Sequence, residues 1–397
     1  MSHRPLDGIR VLEVGQLLAG PFASCLLGYY GAEVVKIEPP GTGDPLRRWR
    51  ILDDDGTSHW WRSLGRNKRS VTVNLRDERG RTLVRKLCDG FDVVIENFKP
   101  GTMEKWGLGP EELKSTNPEL IYARISGYGQ TGPYASRPGF ASVCEGIGGL
   151  RYVNGFPDGP PVRPNLSLGD SLSGLHAAFG VLLALIARGK HSTGQVVDIA
   201  LYESVFNMLE GVVPEYSGAG VVRGPSGSTV TGIVPTNTYR CKDDQFVIIG
   251  ANGDSLFARL MRTAGRDEMA DDPRLADNAG RVEHEAEIDA AISAWTAKLD
   301  AAEVLRLLEE ASVPAGPIYS VSDMASDPHY KARDMFESVD VNGKSLDIPA
   351  LVPKLTETPG CTEWAGTEVG AHTDDVMSRE LGLGAEELRA LRDDGVI

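Results

Sequence analysis

The chain has 397 residues, of which 41% are hydrophobic and 24% are charged. This length and composition predict a globular protein with two domains, or with one domain that carries a large insertion, and exclude a disordered or fibrous chain. The formal net charge of −15 argues against a nucleic-acid or anionic-membrane partner, because both require a broad positive surface.

The N-terminal sequence MSHRPLDGIRVLEV contains no apolar core followed by a cleavage site, and no later stretch approaches about 18 uninterrupted apolar residues. We therefore expect a cytoplasmic protein that binds no membrane. The five cysteines lie far apart, and the seven histidines are scattered. Because zinc sites use closely spaced pairs of such residues, we expect reduced cysteines and no metal.

Strand and helix patterns alternate in the first hundred residues. Short runs rich in Val and Ile predict strands, and apolar residues at helical spacing predict the helices between them. The predicted elements are a strand at 10–14, a helix at 22–30, strands at 33–38 and 70–75, a helix at 78–89 and a strand at 91–96. Two strand–helix–strand units imply a parallel sheet and an α/β fold.

The sequence changes character several times after residue 126. The segment from Gly127 to Pro164 is dense in Gly, Pro, Tyr and Arg, which predicts long functional loops. Beyond it we predict a helix at 172–188, a strand at 196–200, a helix at 201–209, a hairpin at 237–249 and charged helices up to 311. The predicted segments are a large α/β domain at 1–216, a linker at 217–232, a small α+β domain at 233–318, and a linker with a return to the large domain at 319–397.

The turn after the first predicted strand bears on nucleotide binding. It reads GQLLAGP, which lacks the G-x-G-x-x-G of dinucleotide-binding proteins and the Gly-Lys-Ser/Thr ending of a P-loop. Glu38 ends the next strand, where an acid that binds ribose would lie, but Pro39 and Pro40 follow it. We interpret Glu38 as a surface residue and expect neither NAD nor ATP as a cofactor.

A basic run, Arg66-Asn67-Lys68-Arg69-Ser70, lies in this otherwise acidic chain. Guanidinium and ammonium groups suit phosphate oxygens, so the run is either a phosphate clamp or a solvated group of charges. Asn97 and Phe98 follow the strand at 91–96, at the edge where open α/β sheets bind ligands. An amide and a stacking ring suit an adenine, although Phe98 could equally be an aromatic at the rim of the core.

Asp170 lies between Gly169 and Ser171, directly before the apolar helix at 172–188. An aspartate in this position is a good helix N-cap, and the helix dipole favours its ionised form. A nucleophilic carboxylate needs the same ionised form, and small neighbours leave room for a bulky substrate. Local physics therefore leaves both roles open for Asp170.

Ordered sequence blocks along the whole chain resemble the class III CoA-transferase family. The blocks are LDGIRVLEVGQLLAGP, GAEVVKIEPPGTGD, NKRSVTVNL, DVVIENFKPG, ISGYGQTGPYASRPG, LSLGDSLSGL, TGQVVDIALYESV, DDPRLADNAGRV, VPAGPIYSVSD and GAHTDDV. The superfamily also contains formyl-CoA and carnitine CoA-transferases and the alpha-methylacyl-CoA racemases. The resemblance implies a large Rossmann-like domain with a parallel sheet, a smaller α+β domain, and an interlocked homodimer.

The resemblance also implies a set of site residues. It places the catalytic aspartate at Asp170, with the loop from Gly127 to Pro133 beside the acyl group. Contacts to CoA are implied at Asn67, Lys68, Arg69, Asn97, Phe98, Lys105, Tyr128 and Gly129. CoA would be a substrate, and no cofactor would be permanently bound. The reaction would proceed through an aspartyl anhydride and an aspartyl-CoA thioester.

Three functions are compatible with this resemblance: a transferase, a racemase and a non-catalytic acyl-CoA-binding protein. The racemases pair their aspartate with a His-Asp that falls on Phe140 and Ala141 here, which favours a transferase. The segment PGFASVCEGIGGLRYVNG resembles members that use succinyl-CoA with malate, citramalate, itaconate or glutarate. We expect a distal carboxylate of such an acid to pair with Arg137, Arg151 or Arg163, unless these are ordinary surface arginines.

Overall fold

A computed structural model describes residues 3–397 and divides the chain into two compact units. The first unit contains the residues up to Leu150 together with Pro164–Glu210 and Pro328–Ile397. The second unit contains Arg151–Arg163 and Gly211–Asp327. Each unit is therefore assembled from segments that are discontinuous in sequence.

Strands and helices alternate along the chain up to residue 210. The strands are β1 (Arg10–Glu13), β2 (Glu33–Glu38), β3 (Lys68–Thr72), β4 (Val93–Glu96), β5 (Ile121–Ser126) and β6 (Val196–Ala200). The helices are α1 (Ala19–Tyr29), α2 (His59–Leu64), α3 (Glu78–Cys88), α4 (Thr102–Lys105), α5 (Pro110–Thr116), α6 (Ala141–Ile147), α7 (Leu150–Val153), α8 (Leu168–His191) and α9 (Leu201–Phe206). A short 3₁₀ helix, Pro45–Arg48, lies between β2 and α2.

The six strands form one parallel sheet in the order β3-β2-β1-β4-β5-β6. This is the strand order of Rossmann-like folds, so the prediction of an α/β fold with a parallel sheet is confirmed. The order reverses between β1 and β4, and ligands of such sheets bind outside the carboxyl ends of the strands at this point. The residues that follow β1 and β4 are therefore the first place to look for a site.

β5 is a buried strand that the sequence analysis does not predict. All six of its residues are buried, but Arg124 interrupts its apolar run. Its guanidinium Nε donates to Glu96 at 3.0 Å, and its Nη2 pairs with Glu104 at 2.7 Å. These ion pairs make the buried arginine tolerable, and they come from residues outside the strand.

Helices cover both faces of the sheet. On one face, α1 and α8 bury a core that includes Val11, Ile95, Ala123, Ala177 and Val181. On the other face, α3 and the C-terminal helices bury a core that includes Leu12, Val94, Tyr122, Val84 and Val376. Because neighbouring strand residues point to opposite faces, the continuous apolar runs of the strands supply both cores.

α8 runs from Leu168 to His191, and Ser167 is its N-cap residue. The expectation that Asp170 caps the helix is wrong, since the helix begins earlier and Asp170 lies in its first turn. α8 approaches α1 closely: a Cβ added to Gly174 would lie 2.7 Å from the carbonyl oxygen of Ala19. By length and composition α8 could cross a membrane, but core helices of soluble proteins pass the same test, so one such helix is weak evidence.

The segment from Gly127 to Pro164 is only partly a loop, as it contains the short helices α6 and α7. The backbones of Gly127 and Gly139 are in close contact, since a Cβ added to Gly127 would lie 2.6 Å from the Cα of Gly139. The Cys144 thiol of α6 donates to the carbonyl of Gly127 at 3.3 Å. These contacts fold the segment back on itself next to the carboxyl end of β5.

The second unit combines a small antiparallel sheet with helices. Its elements are α10 (Val212–Ala219), β7 (Thr236–Arg240), β8 (Phe246–Gly250), α11 (Asp254–Thr263), α12 (Asp267–Ala270), α13 (Asn278–Glu283), α14 (Glu285–Thr296), α15 (Ala301–Glu310), β9 (Ala315–Pro317) and α16 (Val321–Ser326). The strands are ordered β7-β8-β9, and the antiparallel pair β7 and β8 confirms the predicted hairpin. The core includes Tyr239, Val247, Leu260 and Ile292.

The last segment of the chain belongs to the first unit. It contains α17 (Pro328–Ala332), the hairpin of β10 (Phe336–Val341) and β11 (Lys344–Pro349), α18 (Thr373–Leu381) and α19 (Ala385–Asp393). A hydrogen bond joins α18 to β3: Thr373 Oγ1 accepts it from the backbone N–H of Thr72 at 3.0 Å.

Candidate active site

Side chains from three other segments hold the loop between β1 and α1. Asn97 Oδ1 accepts the N–H of Gln16 at 2.7 Å, and Asn97 Nδ2 donates to the carbonyl of Gln16 at 2.8 Å. Lys36 Nζ donates to the carbonyl of Gly15 at 2.9 Å, and the Asp44 carboxylate accepts the N–H of Leu17 at 3.1 Å. The loop is thereby fixed at the carboxyl end of β1, where the strand order reverses.

Buried charges lie directly beneath this loop. Glu13 accepts from Lys36 at 2.5 Å and pairs with Lys68 at 2.8 Å, and all three side chains are almost fully buried. Burial alone would raise the pKa of Glu13, but the two ammonium groups outweigh it and lower that pKa to about 2. Asp44 adds a second carboxylate 2.8 Å from Lys36.

Glu38 is not a surface residue, so that interpretation is wrong. It is 1% exposed and accepts two hydrogen bonds at 2.7 Å from the guanidinium of Arg47. Arg47 also stacks on the ring of Trp61, with its guanidinium carbon 3.8 Å from the ring centre. Arg47, which follows β2, therefore occupies both carboxylate oxygens of Glu38. Glu38 is not available to bind a ribose hydroxyl.

Asp170 is partly exposed in the first turn of α8, at the positive end of a 24-residue helix. The preceding N–H, that of Gly169, donates to the buried carboxylate of Glu145 at 3.2 Å. Burial raises the pKa of the Cys144 thiol to about 11, and the nearby negative charges of Asp170 and Glu145 add to that rise. α6 therefore lies close to the turn of α8 that carries Asp170.

The basic run at Asn67, Lys68 and Arg69 does not form one surface. Lys68 and Arg69 are successive residues of β3, so they point to opposite faces of the sheet. Lys68 Nζ donates to the carbonyl of Pro21 at 2.6 Å in the interior, whereas Arg69 pairs with Glu33 at 3.5 Å. Asn67 is also buried and uses its amide within the fold, and of the three only Arg69 is partly exposed.

Asn97 and Phe98 directly follow β4, and Lys105 is the last residue of α4, the next helix along the chain. The ring of Phe98 packs edge-on against Trp106, with 5.2 Å between ring centres, and its N–H donates to Glu96 at 2.7 Å. Burial raises the pKa of Glu96 to about 7 against the opposing effects of this N–H and of Arg124. Lys105 is exposed on α4 and pairs with no carboxylate among residues 3–397.

Tyr128 and Gly129 follow β5 at the same edge of the sheet. The Tyr128 ring lies 6.0 Å from that of Tyr134 and 6.1 Å from that of Tyr202, and the residue is 7% exposed. Gly129 has a φ of 81°, a conformation that favours glycine. Of the expected partners for a distal carboxylate, Arg137 is stacked on Tyr134, and Arg151 and Arg163 belong to the second unit.

A cavity of about 510 Å³ opens beside the first turn of α8. Its lining residues are Leu18, Phe22, Cys25, Arg50, His59, Trp60, Ser63, Leu64, Arg66, Leu166, Ser167, Leu168, Ser171, Leu346, Asp347, Ile348, Pro349 and Leu351. The sequence analysis does not single out Arg50, His59 or Trp60. A signal was present, because the run from Arg47 to Trp61 is rich in arginine and tryptophan.

Fold and site together describe a Rossmann-like α/β protein with a carboxylate at a helix N-terminus beside a cavity, and comparison with known proteins identifies its family. CoA-transferase family III matches residues 6–373. The chain belongs to this family. Among the described residues, no group of three or more His, Cys, Asp or Glu side chains could hold a metal ion.

Characterised relatives match the chain over nearly its full length. It is 45% identical to the succinyl-CoA–D-citramalate CoA-transferase of Chloroflexus aurantiacus, over 99% of this chain and 98% of that one. It is 36% identical to the succinyl-CoA:glutarate CoA-transferase of Mus musculus, over 100% of this chain and 91% of that one. A crystal structure of a CaiB/BaiF family protein from Brucella suis superposes with a TM-score of 0.84 at 34% identity, covering 95% of this chain and 100% of that one.

Proposed function

We propose that this chain transfers CoA from succinyl-CoA to a short carboxylic acid, most simply another dicarboxylate, with Asp170 as the nucleophile. The observation that carries the proposal is the position of Asp170, in the first turn of α8 beside a cavity. Relatives named as transferases of citramalate and glutarate support the acid class. The position of the aspartate and membership of the family together support this proposal.

The reaction begins when a carboxylate oxygen of Asp170 attacks the thioester carbonyl of succinyl-CoA. The carbon–sulfur bond breaks, and an aspartyl-succinyl anhydride and a CoA thiolate form. The thiolate then attacks the aspartyl carbonyl, which releases succinate and leaves a β-aspartyl-CoA thioester. The acceptor carboxylate attacks the aspartyl carbonyl of this thioester, which expels the CoA thiolate and gives an aspartyl-acceptor anhydride. The thiolate then attacks the acceptor carbonyl, which forms the acceptor acyl-CoA and releases the Asp170 carboxylate.

Three structural features would support these chemical steps. The positive end of the α8 dipole favours the ionised carboxylate that the first attack needs. The backbone N–H groups of the loop that contains Gly127 and Gly129 are candidate donors to the oxyanions. Every intermediate is open to hydrolysis, and α6, which lies close to the turn that carries Asp170, would limit the access of water from that side.

CoA itself would bind along the carboxyl edge, against Asn97, Phe98, Lys105, Tyr128 and Gly129. The exposed ammonium of Lys105 suits a phosphate, and the Phe98 ring offers a face for a base. Arg69 lies near the start of β3, away from that edge, and would contact only a distant part of the ligand. We assign Asn67 and Lys68 an indirect role, because their side chains are used inside the fold.

A racemase is the alternative that this site disfavours. Racemisation requires a second acid or base on the far side of the alpha carbon. In the racemases that this chain resembles, a His-Asp pair supplies this second group. The corresponding residues here are Phe140, which is 60% exposed, and Ala141. Neither side chain can move a proton, so we propose transfer and no epimerisation of a 2-methylacyl-CoA.

The test of Asp170 is the intact mass of the protein after incubation with succinyl-CoA. We expect a covalent adduct that hydroxylamine removes, and Asp170→Asn should lose both the adduct and at least about 1,000-fold of the transfer rate. Glu203→Gln, a change at an exposed carboxylate of α9, is the matched control and should behave as wild type. Full transfer activity in Asp170→Asn would contradict the proposal, and binding of succinyl-CoA without adduct or transfer would indicate a non-catalytic binder.

We also propose an interlocked homodimer in the cytoplasm, with no permanently bound cofactor. The support is an apolar face of α8 in which large side chains are 38–58% exposed. These side chains are Leu175, Phe179, Leu182, Leu183 and Ile186. A patch of this kind on a water-soluble protein is normally covered by a partner.

A further inference from the structure

The cavity beside α8 has an apolar part and a cationic part. Leu18, Phe22 and Leu351 contribute apolar side chains, Arg50 contributes the cationic part, and His59 adds a polar ring. A short dicarboxylate would match this cavity, because it combines an apolar hydrocarbon segment with a negatively charged carboxylate at each end. One carboxylate must reach Asp170 to react, so the other needs a binding group at a distance from Asp170.

Arg50 provides a positive charge that no carboxylate of the described chain neutralises. Its guanidinium carbon lies 4.0 Å above the ring of Trp60, and it forms no hydrogen bond or ion pair with any of residues 3–397. The acids that follow it in sequence are already used: Asp54 pairs with Lys344 at 2.5 Å, and Asp55 pairs with Arg62. Arg50 is thus available to an anionic ligand.

His59 lies next to Arg50 because its N–H donates to the carbonyl of Ile51 at 3.2 Å. Its ring atom Nδ1 is buried and has no hydrogen-bond partner among the described residues. A buried polar atom without a partner destabilises the folded protein, because it has lost its hydrogen bonds to water. A carboxylate held by Arg50 would accept a hydrogen bond from this ring and remove that destabilisation.

The same cavity reaches the turn that carries Asp170. Leu168 and Ser171, on either side of Asp170 in the first turn of α8, both line it. The lining also contains Arg66, whose guanidinium already donates to Ser63 and to the carbonyl of Pro349. It contains one acid, Asp347, which accepts the hydroxyl of Ser338 at 2.5 Å. Among the basic side chains that line the cavity, Arg50 and His59 are therefore the ones whose side chains are not already used within the fold.

We infer that Arg50 and His59 bind the distal carboxylate of the acyl group and so make the enzyme selective for dicarboxylic over monocarboxylic acids. This inference rests on the proposed function and names the residues that choose its substrate. It replaces the expectation for Arg137, Arg151 and Arg163 with residues that line the cavity beside Asp170.

The experiment compares succinyl-CoA with butyryl-CoA, which has the same chain length and no distal carboxylate, as CoA donors to one common acceptor. For wild type we expect a higher kcat/KM with succinyl-CoA. Arg50→Gln should lower the succinyl-to-butyryl ratio of kcat/KM roughly 10- to 100-fold, because a charged hydrogen bond is lost. His59→Ala should lower the same ratio by a smaller factor, and Arg50→Lys should recover part of it. Activity with butyryl-CoA shows that each variant is folded.

Arg48→Gln is the matched control, since Arg48 is an exposed arginine two residues away that does not line the cavity. It removes the same charge two residues away, at the end of the preceding 3₁₀ helix, and should leave the ratio unchanged. The inference is overturned if Arg50→Gln and Arg48→Gln give the same ratio, or if Arg50→Gln lowers both donors equally. If wild type itself transfers no CoA from succinyl-CoA, the proposed function fails instead, and the two failures are thereby told apart.

Discussion

Glu13, Lys36, Asp44 and Lys68 form a buried charge network under the candidate site. Taking a single ion into the interior is costly, and removing one partner of such a pair leaves an uncompensated charge. Here the carboxylates and ammonium groups alternate, with separations of 2.5 Å to 2.8 Å. Two of the same residues hold the backbone of Gly15 and Leu17, so the network couples the stability of the sheet to the position of the loop.

The network predicts a loss of stability in acid. The folded pKa of Glu13, about 2, lies below its ordinary value of 4.5, so its contribution is fully present above pH 4.5 and is lost as the pH falls toward 2. The shift corresponds to about 3 kcal/mol. We expect the free energy of unfolding, measured by urea denaturation at several pH values, to fall over this window.

Glu13→Gln should weaken the dependence of the free energy of unfolding on pH between 4.5 and 2, because the titrating carboxyl group is absent. It should also lower stability at pH 7, since Lys68 loses its ion-pair partner. Glu111→Gln, on the exposed start of α5, is the control and should keep the wild-type slope. An unchanged slope in Glu13→Gln would show that other carboxylates cause the acid transition.

At this scale the sequence indicates which residues are chemically able to act, but not which of them are already engaged. Asp170 could be selected because a helix signal and a family block coincide around it. Lys68 and Glu38 could not be placed correctly, because their partners Glu13 and Arg47 are specified only by the folded sheet. A charge run in a strand is also divided between two faces, which separates Lys68 from Arg69.

α8 combines a first turn that carries the proposed nucleophile, Asp170, with a tightly packed middle. Gly174→Ala would ordinarily stabilise a helix by about 1 kcal/mol, but here the new Cβ would lie 2.7 Å from the carbonyl oxygen of Ala19. We expect a net loss of about 1–3 kcal/mol in the free energy of unfolding, because α1 and α8 must separate. Activity should fall as well, since the first turn of α8 would shift.

The matched control is Gly189→Ala in the last turns of the same helix. A Cβ there would meet nothing within 4 Å, so this substitution should stabilise the protein by roughly 0.5–1 kcal/mol. Thermal and urea unfolding of the two variants give the comparison. Equal effects at both positions would mean that the approach of α8 to α1 is looser than the structure indicates.

Regular elements with a clear period are predictable from this sequence, and short or interrupted ones are not. The strands β1, β2 and β4 and the hairpin of β7 and β8 follow from runs of Val and Ile and from turn residues. β5 is missed because Arg124 breaks its pattern. α6 and α7 have too few residues to show a helical period, and contacts such as that between Cys144 and Gly127 hold α6 in place.

For the molecule as a whole, strand order decides where chemistry can occur. Consecutive strand–helix–strand units predict a parallel sheet, but they do not say that β1 lies between β2 and β4. That order brings Gln16 and Asn97 together, although they are far apart in sequence. The site is therefore a property of the topology, and only its individual residues can be selected from the sequence.

The exposed apolar face of α8 leads to a prediction about the proposed dimer. Phe179 is 57% exposed near the middle of this face, and a buried interface there would not accommodate an unpaired carboxylate. Phe179→Glu should therefore raise the dimer dissociation constant at least about 100-fold. Sedimentation velocity at several protein concentrations measures the change, and wild type should sediment as a dimer throughout.

His191→Glu places the same acidic side chain on the exposed last turn of α8, on a side of the helix away from the apolar face, and should leave the dimer intact. Wild-type protein that sediments as a monomer would contradict the dimer proposal. In that case, co-sedimentation with lipid vesicles that Phe179→Glu abolishes would identify a membrane as the partner of this face. A dimer that both variants preserve would place the interface on another surface, because an apolar contact around Phe179 cannot survive the addition of a buried charge.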